Sequence, residues 1–377
     1  MPLVAGCSST APTPATNVAA GAVEKQVPRA SITVAPPAGS TAVPLDATVQ
    51  VDADKGRLTT VTVTDHRSRP LAGQVSADGS SWTATGSLRL ASSYIVKATA
   101  VDAKGLETTT SSSFVTVKPS ARLETSISPL SGSTVGVGMP IIVRLSKPAK
   151  DRAAVERRLT IDSSKAIDGS WSWVGDEEVH FRPRHYWPAY TDVTLRVRLR
   201  DVHVGKGVYG GKNRTIKFST GASMVTVINV KKHRATIHRN GKVARTVPVS
   251  TGKAGFLTRG GTKVVLEKHR LKVMDAATIG IGRNDPEYYR LDVPYAMRVT
   301  WSGEFVHAAP WSTASQGREN VSHGCVGMST SNAIWLFNQT NIGDVVRVVG
   351  SPRTLEPGNG YTDWNVSWAD WVAGSAL

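Results

Sequence analysis

Cysteine is nearly missing: 377 residues contain two, Cys7 and Cys325, at opposite ends of the chain. Two such distant thiols exclude a disulfide framework, and each needs its own explanation. Aromatic residues are only 6% of the chain, and no zinc-finger spacing, RNP-like aromatic run or basic helix is found. That excludes the common nucleic-acid modules, and no nucleic acid is expected as a partner. No stretch approaches the roughly 18 consecutive apolar residues of a spanning helix. Acidic residues are scarce, 29 against 45 Lys and Arg, leaving a net charge of +16. Such an excess anticipates an anionic partner or surface. What is present is 40% hydrophobic residues with 34 Gly and 20 Pro, enough for packed cores built from short strands and many turns. The length favours two to four domains over a single core.

Read along the chain, the fold class is mainly β. Short alternating segments at 31–34, 48–52, 59–63, 82–84, 94–100 and 113–117 are punctuated by Gly, Pro, Asp and Ser. They predict an immunoglobulin-like sandwich over 31–118. A second block, 119–221, repeats the style, and its Ile127-Ser-Pro-Leu-Ser-Gly-Ser-Thr echoes Ala35-Pro-Pro-Ala-Gly-Ser-Thr. That echo reads as a duplicated module, a second immunoglobulin-like sandwich. Its strand candidates are 140–145, 171–174, 178–182, 192–199 and 215–219, and Trp171, Trp173 and Trp187 are read as packing residues.

From residue 222 the β segments lengthen, and Asn240-Gly241 between two alternating runs is a strong type I′ hairpin signal. This opens a third, β-rich domain over 222–350, with 17 basic and 8 acidic residues. Ser329-Thr330-Ser331-Asn332 supplies N-cap candidates for a helix over 333–339, and 344–349 reads as a last strand. Residues 351–377 carry Trp364, Trp368 and Trp371, too much aromatic surface for a free tail, so the segment is expected to fold back onto the catalytic block.

At the other end, Val4-Ala5-Gly6-Cys7 resembles a bacterial lipobox, which makes Cys7 a lipidation candidate and implies a membrane contact through a lipid anchor. The Ser/Thr/Ala/Pro-rich stretch that follows, to residue 30, has the composition of a flexible tether. A bacterial cell envelope, at the outer face of the cytoplasmic membrane, is the expected location, and its anionic lipids and polymers suit the basic charge.

The second cysteine lies in Val321-Ser322-His323-Gly324-Cys325-Val326-Gly327, beside glycines and a histidine just before the predicted helix. A nearby imidazole or helix terminus favours thiolate, the form that attacks carbonyl carbon. A buried, inert Cys with two structural histidines is the plainer reading of those residues alone. The strand Gly303-Glu304-Phe305-Val306-His307 adds a second histidine 18 residues earlier.

Together Ser302-Gly303, Phe305-Val306-His307, Ala309-Pro310-Trp311-Ser312 and the run from Asn320 to Cys325 resemble the YkuD-type L,D-transpeptidase catalytic domain. The whole chain resembles the multidomain lipoprotein members, with two immunoglobulin-like domains before that domain and a short Trp-rich segment after it. The resemblance implies a peptidoglycan acyltransferase that forms 3→3 cross-links between stem peptides, taking a tetrapeptide donor and releasing D-Ala. The acceptor would bear diaminopimelate, and carbapenem-type β-lactams would acylate the enzyme. It implies Cys325 as nucleophile, His307 as base oriented by the backbone carbonyl of Ala308, and an oxyanion hole around His323, Gly324 and Cys325 aided by Tyr289. It further implies a mobile lid between Met274 and Arg298, with Met274, Tyr289, Ser302, Gly303, Trp311, Ser322 and Gly327 on the substrate side. Two departures from the family pattern are Ile279, where some relatives have Tyr, and Gly327, where many have Asn.

No cofactor is implied, and no metal is expected, because the His and Cys spacing follows the nucleophilic motif without an accompanying CxxC. Two other functions use the same residues. One is a carboxypeptidase or amidase that trims stems with the same thiol. The other is a wall-binding protein whose catalytic domain has decayed.

Overall fold

The computed structural model describes Ala11 and residues 26–377, so Cys7 lies outside the described residues. It is mainly β, as expected, and divides into two compact units, residues 1–118 and 119–377. Among the described residues no helix is long and apolar enough to cross a membrane.

The first unit is a sandwich of a four-stranded and a three-stranded sheet. Alternation drives it: along Ser93–Asp102, Tyr94, Val96, Ala98 and Ala100 are buried while their neighbours face outward. The strand expected at 113–117 runs instead over Glu107–Val115, where Thr and Ser residues alternate with weaker apolar contrast.

The second unit holds a second sandwich and the β-rich block on contiguous cores. Trp171 and Trp187 are buried in the sandwich, with Val345 of the next block in the same cluster. Trp173 is partly buried and donates from Nε1 to Glu156. The seam between them is backbone on backbone. Gly136 N–H donates to Ile342 O at 2.7 Å and Gly138 N–H to Gly343 O at 2.9 Å. A Cβ on Gly136 would lie 2.0 Å from Asp344 N, so only glycine permits this approach.

In the β-rich block, strands β1 (Met224–Asn229), β2 (Arg234–Arg239), β3 (Lys242–Pro248) and β4 (Gly261–Val264) share a five-stranded sheet. Strands β5 (Glu267–Asp275), β6 (Arg290–Arg298), β7 (Phe305–Ala308) and β8 (Val326–Met328) form a second, four-stranded sheet. Helix α1 (Thr330–Gln339) follows, and β9 (Val345–Val349) closes the first sheet between β1 and β4. Asn240 and Gly241 turn β2 into β3 with φ of 49° and 79°, the signature of the predicted I′ hairpin. Ser329 Oγ accepts from Asn332 N–H as N-cap of α1, whose Ala333, Leu336 and Phe337 pack between the sheets.

The Trp-rich segment was expected on the catalytic block alone; it straddles that block and the second sandwich. Trp364, Trp368 and Trp371 of the segment enclose the Arg182 guanidinium of the sandwich at 5.0, 5.3 and 4.6 Å from their ring centroids. Asp363 pairs with His180 at 2.7 Å, while Asn365 Oδ1 accepts from Thr262 N–H of β4 at 2.7 Å. Arg182 and His180 alternate with apolar residues in a sandwich strand, and nothing local announces an aromatic partner so far along the chain.

Candidate active site

His307 and Cys325 meet because β7 and β8 pair in parallel. The register sets His307 against Gly327 and Val306 against Val326, so Cys325, one residue before β8, lies at the end of the His307 strand. The two residues are distant in sequence and line one cavity.

His307 is buried, and its Nδ1 lies 2.7 Å from the carbonyl oxygen of Ala308. A carbonyl only accepts, so Nδ1 carries the proton and Nε2 presents its lone pair. Burial pushes the imidazole pKa down to about 4, partly countered by the Ala308 bond. Burial likewise pushes the Cys325 thiol up to about 12; the Phe305 backbone contact and the cations of Lys263 and Arg298 oppose that, and the Glu304 carboxylate adds to it. The resting pair is therefore neutral thiol and neutral imidazole. The thiol points to Gly303 O, at 3.7 Å.

Gly324 has a φ of 122°, a conformation other residues rarely adopt, which explains the glycine before Cys325. Its N–H is held by Ser322 Oγ at 3.1 Å, and that hydroxyl donates to Cys325 O at 2.7 Å. The Gly324 amide is thus engaged, and the expected oxyanion donors narrow to the amides of His323 and Cys325. Tyr289 is close by: its ring centroid is 4.9 Å from that of His323, and burial, with the neighbouring Cys325, pushes its phenol up to about 12, so the hydroxyl keeps its proton.

The lid is the connection between β5 and β6, leaving the sheet at Asp275 and returning at Arg290. Two cavities reach Cys325 beside it. The larger, about 540 Å³, takes in Met274, Ile279, Tyr289, Ser302, Gly303 and His323. The smaller, about 240 Å³, takes in Met274, Tyr289, His307, Trp311, Ser322 and His323. Trp311 is half exposed and stacks on His307 with centroids 5.9 Å apart.

Of the residues expected on the substrate side, Gly327 alone lines neither cavity. It is buried in β8, exchanges backbone hydrogen bonds with Ser250 at 2.8 and 2.9 Å, and a Cβ there would sit 2.8 Å from that of Ala309. Ile279, the other departure, is on the lid, and its Cγ2 would be 3.3 Å from a Cβ on Gly303.

Several supporting residues escaped the sequence reading. Glu304 is buried under the Gly303 turn, pairs with the wholly buried Lys263 of β4, and accepts from Arg259 N and Nη1 at 3.0 and 3.1 Å. Thr258 Oγ1 donates to Gly324 O at 2.8 Å. Glu287, on the lid, holds His323 Nε2 at 2.7 Å and Lys253 Nζ at 2.6 Å. An acidic residue inside the apolar run before His307 was the available signal for Glu304; nothing in the sequence pairs Glu287 with His323.

Comparison with known proteins places this geometry. Residues 223–348 match the L,D-transpeptidase catalytic domain family, and residues 40–203 the bacterial Ig domain family. L,D-transpeptidase 2 of Mycobacterium tuberculosis (strain CDC 1551 / Oshkosh) is 35% identical over 339 residues, covering 90% of this chain and 83% of that protein. The solved structure of the LD transpeptidase LdtMt1 in complex with imipenem is 40% identical, covers 61% of this chain and 99% of that one, and has a TM-score of 0.53. L,D-transpeptidase 3 from Mycobacterium tuberculosis, in complex with a faropenem-derived adduct, is 34% identical over 60% of this chain and 97% of that one, with a TM-score of 0.50. With residues 223–348 matched to the catalytic-domain family and a relative matched along most of both chains, this protein belongs to the L,D-transpeptidase family, enzymes of acyltransferase type.

Proposed function

We propose that this protein joins peptidoglycan stem peptides by 3→3 transpeptidation through a thioester on Cys325. The observation that carries the reading is the His307 tautomer: with Nδ1–H committed to Ala308 O, Nε2 is available as the proton acceptor for the thiol sharing its cavity. Because both groups rest neutral, the thiol proton passes to Nε2 as sulfur attacks the carbonyl of the donor's third residue. The developing oxyanion takes hydrogen bonds from the amides of Cys325 and His323 and from the Tyr289 hydroxyl. Collapse breaks the peptide bond, and the departing D-Ala amine recovers the proton from His307. The side-chain amine of a second stem then attacks the thioester, gives up its proton to His307 and releases the thiol. Two openings at one sulfur support separate approaches for donor and acceptor, with Met274 and Tyr289 between them.

Relatives solved with imipenem and with a faropenem-derived adduct support acylation of Cys325 by carbapenem-type β-lactams, whose strained carbonyl takes the place of the donor's. Lipidation at Cys7 would hold the enzyme at the outer face of the cytoplasmic membrane, beside its polymer.

The test is incubation with a purified disaccharide-tetrapeptide, with products read by mass spectrometry. A dimer lacking one D-Ala, absent with Cys325→Ala, is expected. Tripeptide alone would replace the proposal with a carboxypeptidase, and adduct formation on Cys325→Ala by a carbapenem would remove Cys325 from its role.

A further inference from the structure

The lid segment 276–289 is fastened to the rest of the protein at one side chain. Its backbone hydrogen bonds close on the lid itself: Ala276 N–H donates to Tyr289 O at 2.9 Å, Ile281 N–H to Ala276 O at 3.1 Å, and Tyr288 N–H to Asp285 O at 2.9 Å. Its capping carboxylates also stay local. Asp275 Oδ1 accepts from Ala277 N–H at 2.9 Å, and Asp285 Oδ1 from Glu287 N–H at 2.8 Å. The exception is the Glu287 carboxylate, which accepts from Lys253 Nζ at 2.6 and 2.8 Å and from His323 Nε2 at 2.7 Å. Among the described residues, these are the only hydrogen bonds that 276–289 make beyond the lid and its two strand ends.

Both partners of Glu287 lie on one tied pair of loops. Lys253 N–H donates to Ser322 O and Ser322 N–H to Thr251 O, at 2.9 and 3.0 Å, which joins the Lys253 loop to the one carrying His323, Gly324 and Cys325. Phe256 backs the arrangement, its ring centroid 4.6 Å from that of His323 and 5.5 Å from Lys253 Nζ. A carboxylate only accepts, so His323 carries a proton on Nε2, and Glu287 fixes which way its ring turns. The ring then lies between Phe256 and Tyr289, with centroids 4.6 and 4.9 Å away. Without Glu287, neither a hydrogen bond nor an ion pair would hold that ring or the lid against the Cys325 loop.

We propose that Glu287 is a positioning residue for acylation: reaching from the lid, it fixes the His323 ring and, through it, the amide offered to the oxyanion beside Cys325. This deepens the proposed thioester chemistry and rests on it. An oxyanion donor acts only when it is already aimed at the place where charge develops, so a loosened His323 weakens the transition state more than the bound reactant.

The test is carbapenem acylation of the full chain, with the adduct located on Cys325 by mass spectrometry and the rate followed to saturation. Glu287→Ala is expected to slow the saturating rate at least tenfold and to change the half-saturating concentration less than threefold. Glu287→Gln should stay within threefold of the parent, since an amide oxygen in the place of Oε2 still accepts from His323 and Lys253. In a His323→Ala background, Glu287→Ala should slow acylation less than twofold, because no ring remains to be held. Hydrogen exchange of the 276–289 amides should speed up at least fivefold in Glu287→Ala. The pair with Lys253 is partly exposed, at 33% and 39%, so the melting temperature should move by less than about 4 °C. Equal slowing by Glu287→Ala in both backgrounds, a loss confined to the half-saturating concentration, or unchanged lid exchange overturns this proposal alone. Absence of any Cys325 adduct on the parent overturns it together with the chemistry it rests on. A parent that is acylated but forms no 3→3 dimer leaves the Glu287 prediction to stand or fall on the same rates, because acylation precedes the choice of acceptor.

Discussion

The substitution Lys263→Met isolates the ion pair beneath Cys325. The Lys263 side chain is 0% exposed and that of Glu304 5%, so neither charge has water to fall back on. Removing the ammonium leaves the Glu304 carboxylate with the two Arg259 donors, at 3.0 and 3.1 Å. Breaking a buried pair from one side costs about 3–5 kcal/mol, and the retained Arg259 contacts put this case near about 3 kcal/mol. At about 2–4 °C per kcal/mol for a unit of this size, the melting temperature should fall by about 6–12 °C. Adding Glu304→Leu should recover most of that loss, since the cost lies in the orphaned carboxylate and Arg259 still has Glu356. The pair also acts on the thiol in opposite senses: Glu304 raises the Cys325 pKa and Lys263 lowers it. Lys263→Met should therefore slow acylation by a carbapenem at neutral pH and Glu304→Gln should not, although both lower stability. Scanning calorimetry and single-turnover acylation measure the two effects. A single variant within about 1 kcal/mol of the parent, or a double variant no better than Lys263→Met, would refute the reasoning.

Three further outcomes follow from the same geometry. With His307 lowered to about 4 and Cys325 raised to about 12, the acylation rate of His323→Gln protein should be flat from about pH 5 to 9; an inflection near 6.5, reported by stopped flow, would mean that His307 is not desolvated as described. Burial alone would lower the His180 pKa, but Asp363 and Glu178 outweigh it and raise it to about 9. The folded state therefore holds that proton more tightly, contributing about 3 kcal/mol that is fully present below about pH 6.5 and lost as pH rises through 9. His180→Gln should flatten thermal stability across that window; an unchanged slope would contradict it. Gly327→Asn, the residue the family resemblance leads one to expect there, should cost about 1–3 kcal/mol by overpacking against Ala309, and Ala309→Gly should return most of it in urea unfolding.

How much of this was legible beforehand depends on range. Strands such as Ser93–Asp102 and Glu178–Pro183, the Asn240-Gly241 turn and the Ser329 cap are written in residues next to one another, because period-two alternation, left-handed turn geometry and side-chain capping are local physics. Cys325 and His307 were readable for a different reason: their motif is short and chemically specific. Gly327 shows the limit of that reading. It sits within the motif and was counted with the substrate-side residues, yet strand alternation turns its face toward Ala309 and away from the cavities.

By itself, then, the sequence determined the β class, the modular order and the identity of thiol and imidazole, all of which follow from neighbours or compact motifs. Only tertiary structure decided that Lys263 and Glu304 share a dry site under the thiol, that Glu287 reaches His323 from the lid, and that a Trp-rich segment encloses Arg182 of the preceding sandwich. Those contacts join residues from about 36 to nearly 190 positions apart, and for a buried charge or a guanidinium among rings the partner is selected by shared exclusion of water. Spacing along the chain does not encode that exclusion, because it exists only once the cores have closed.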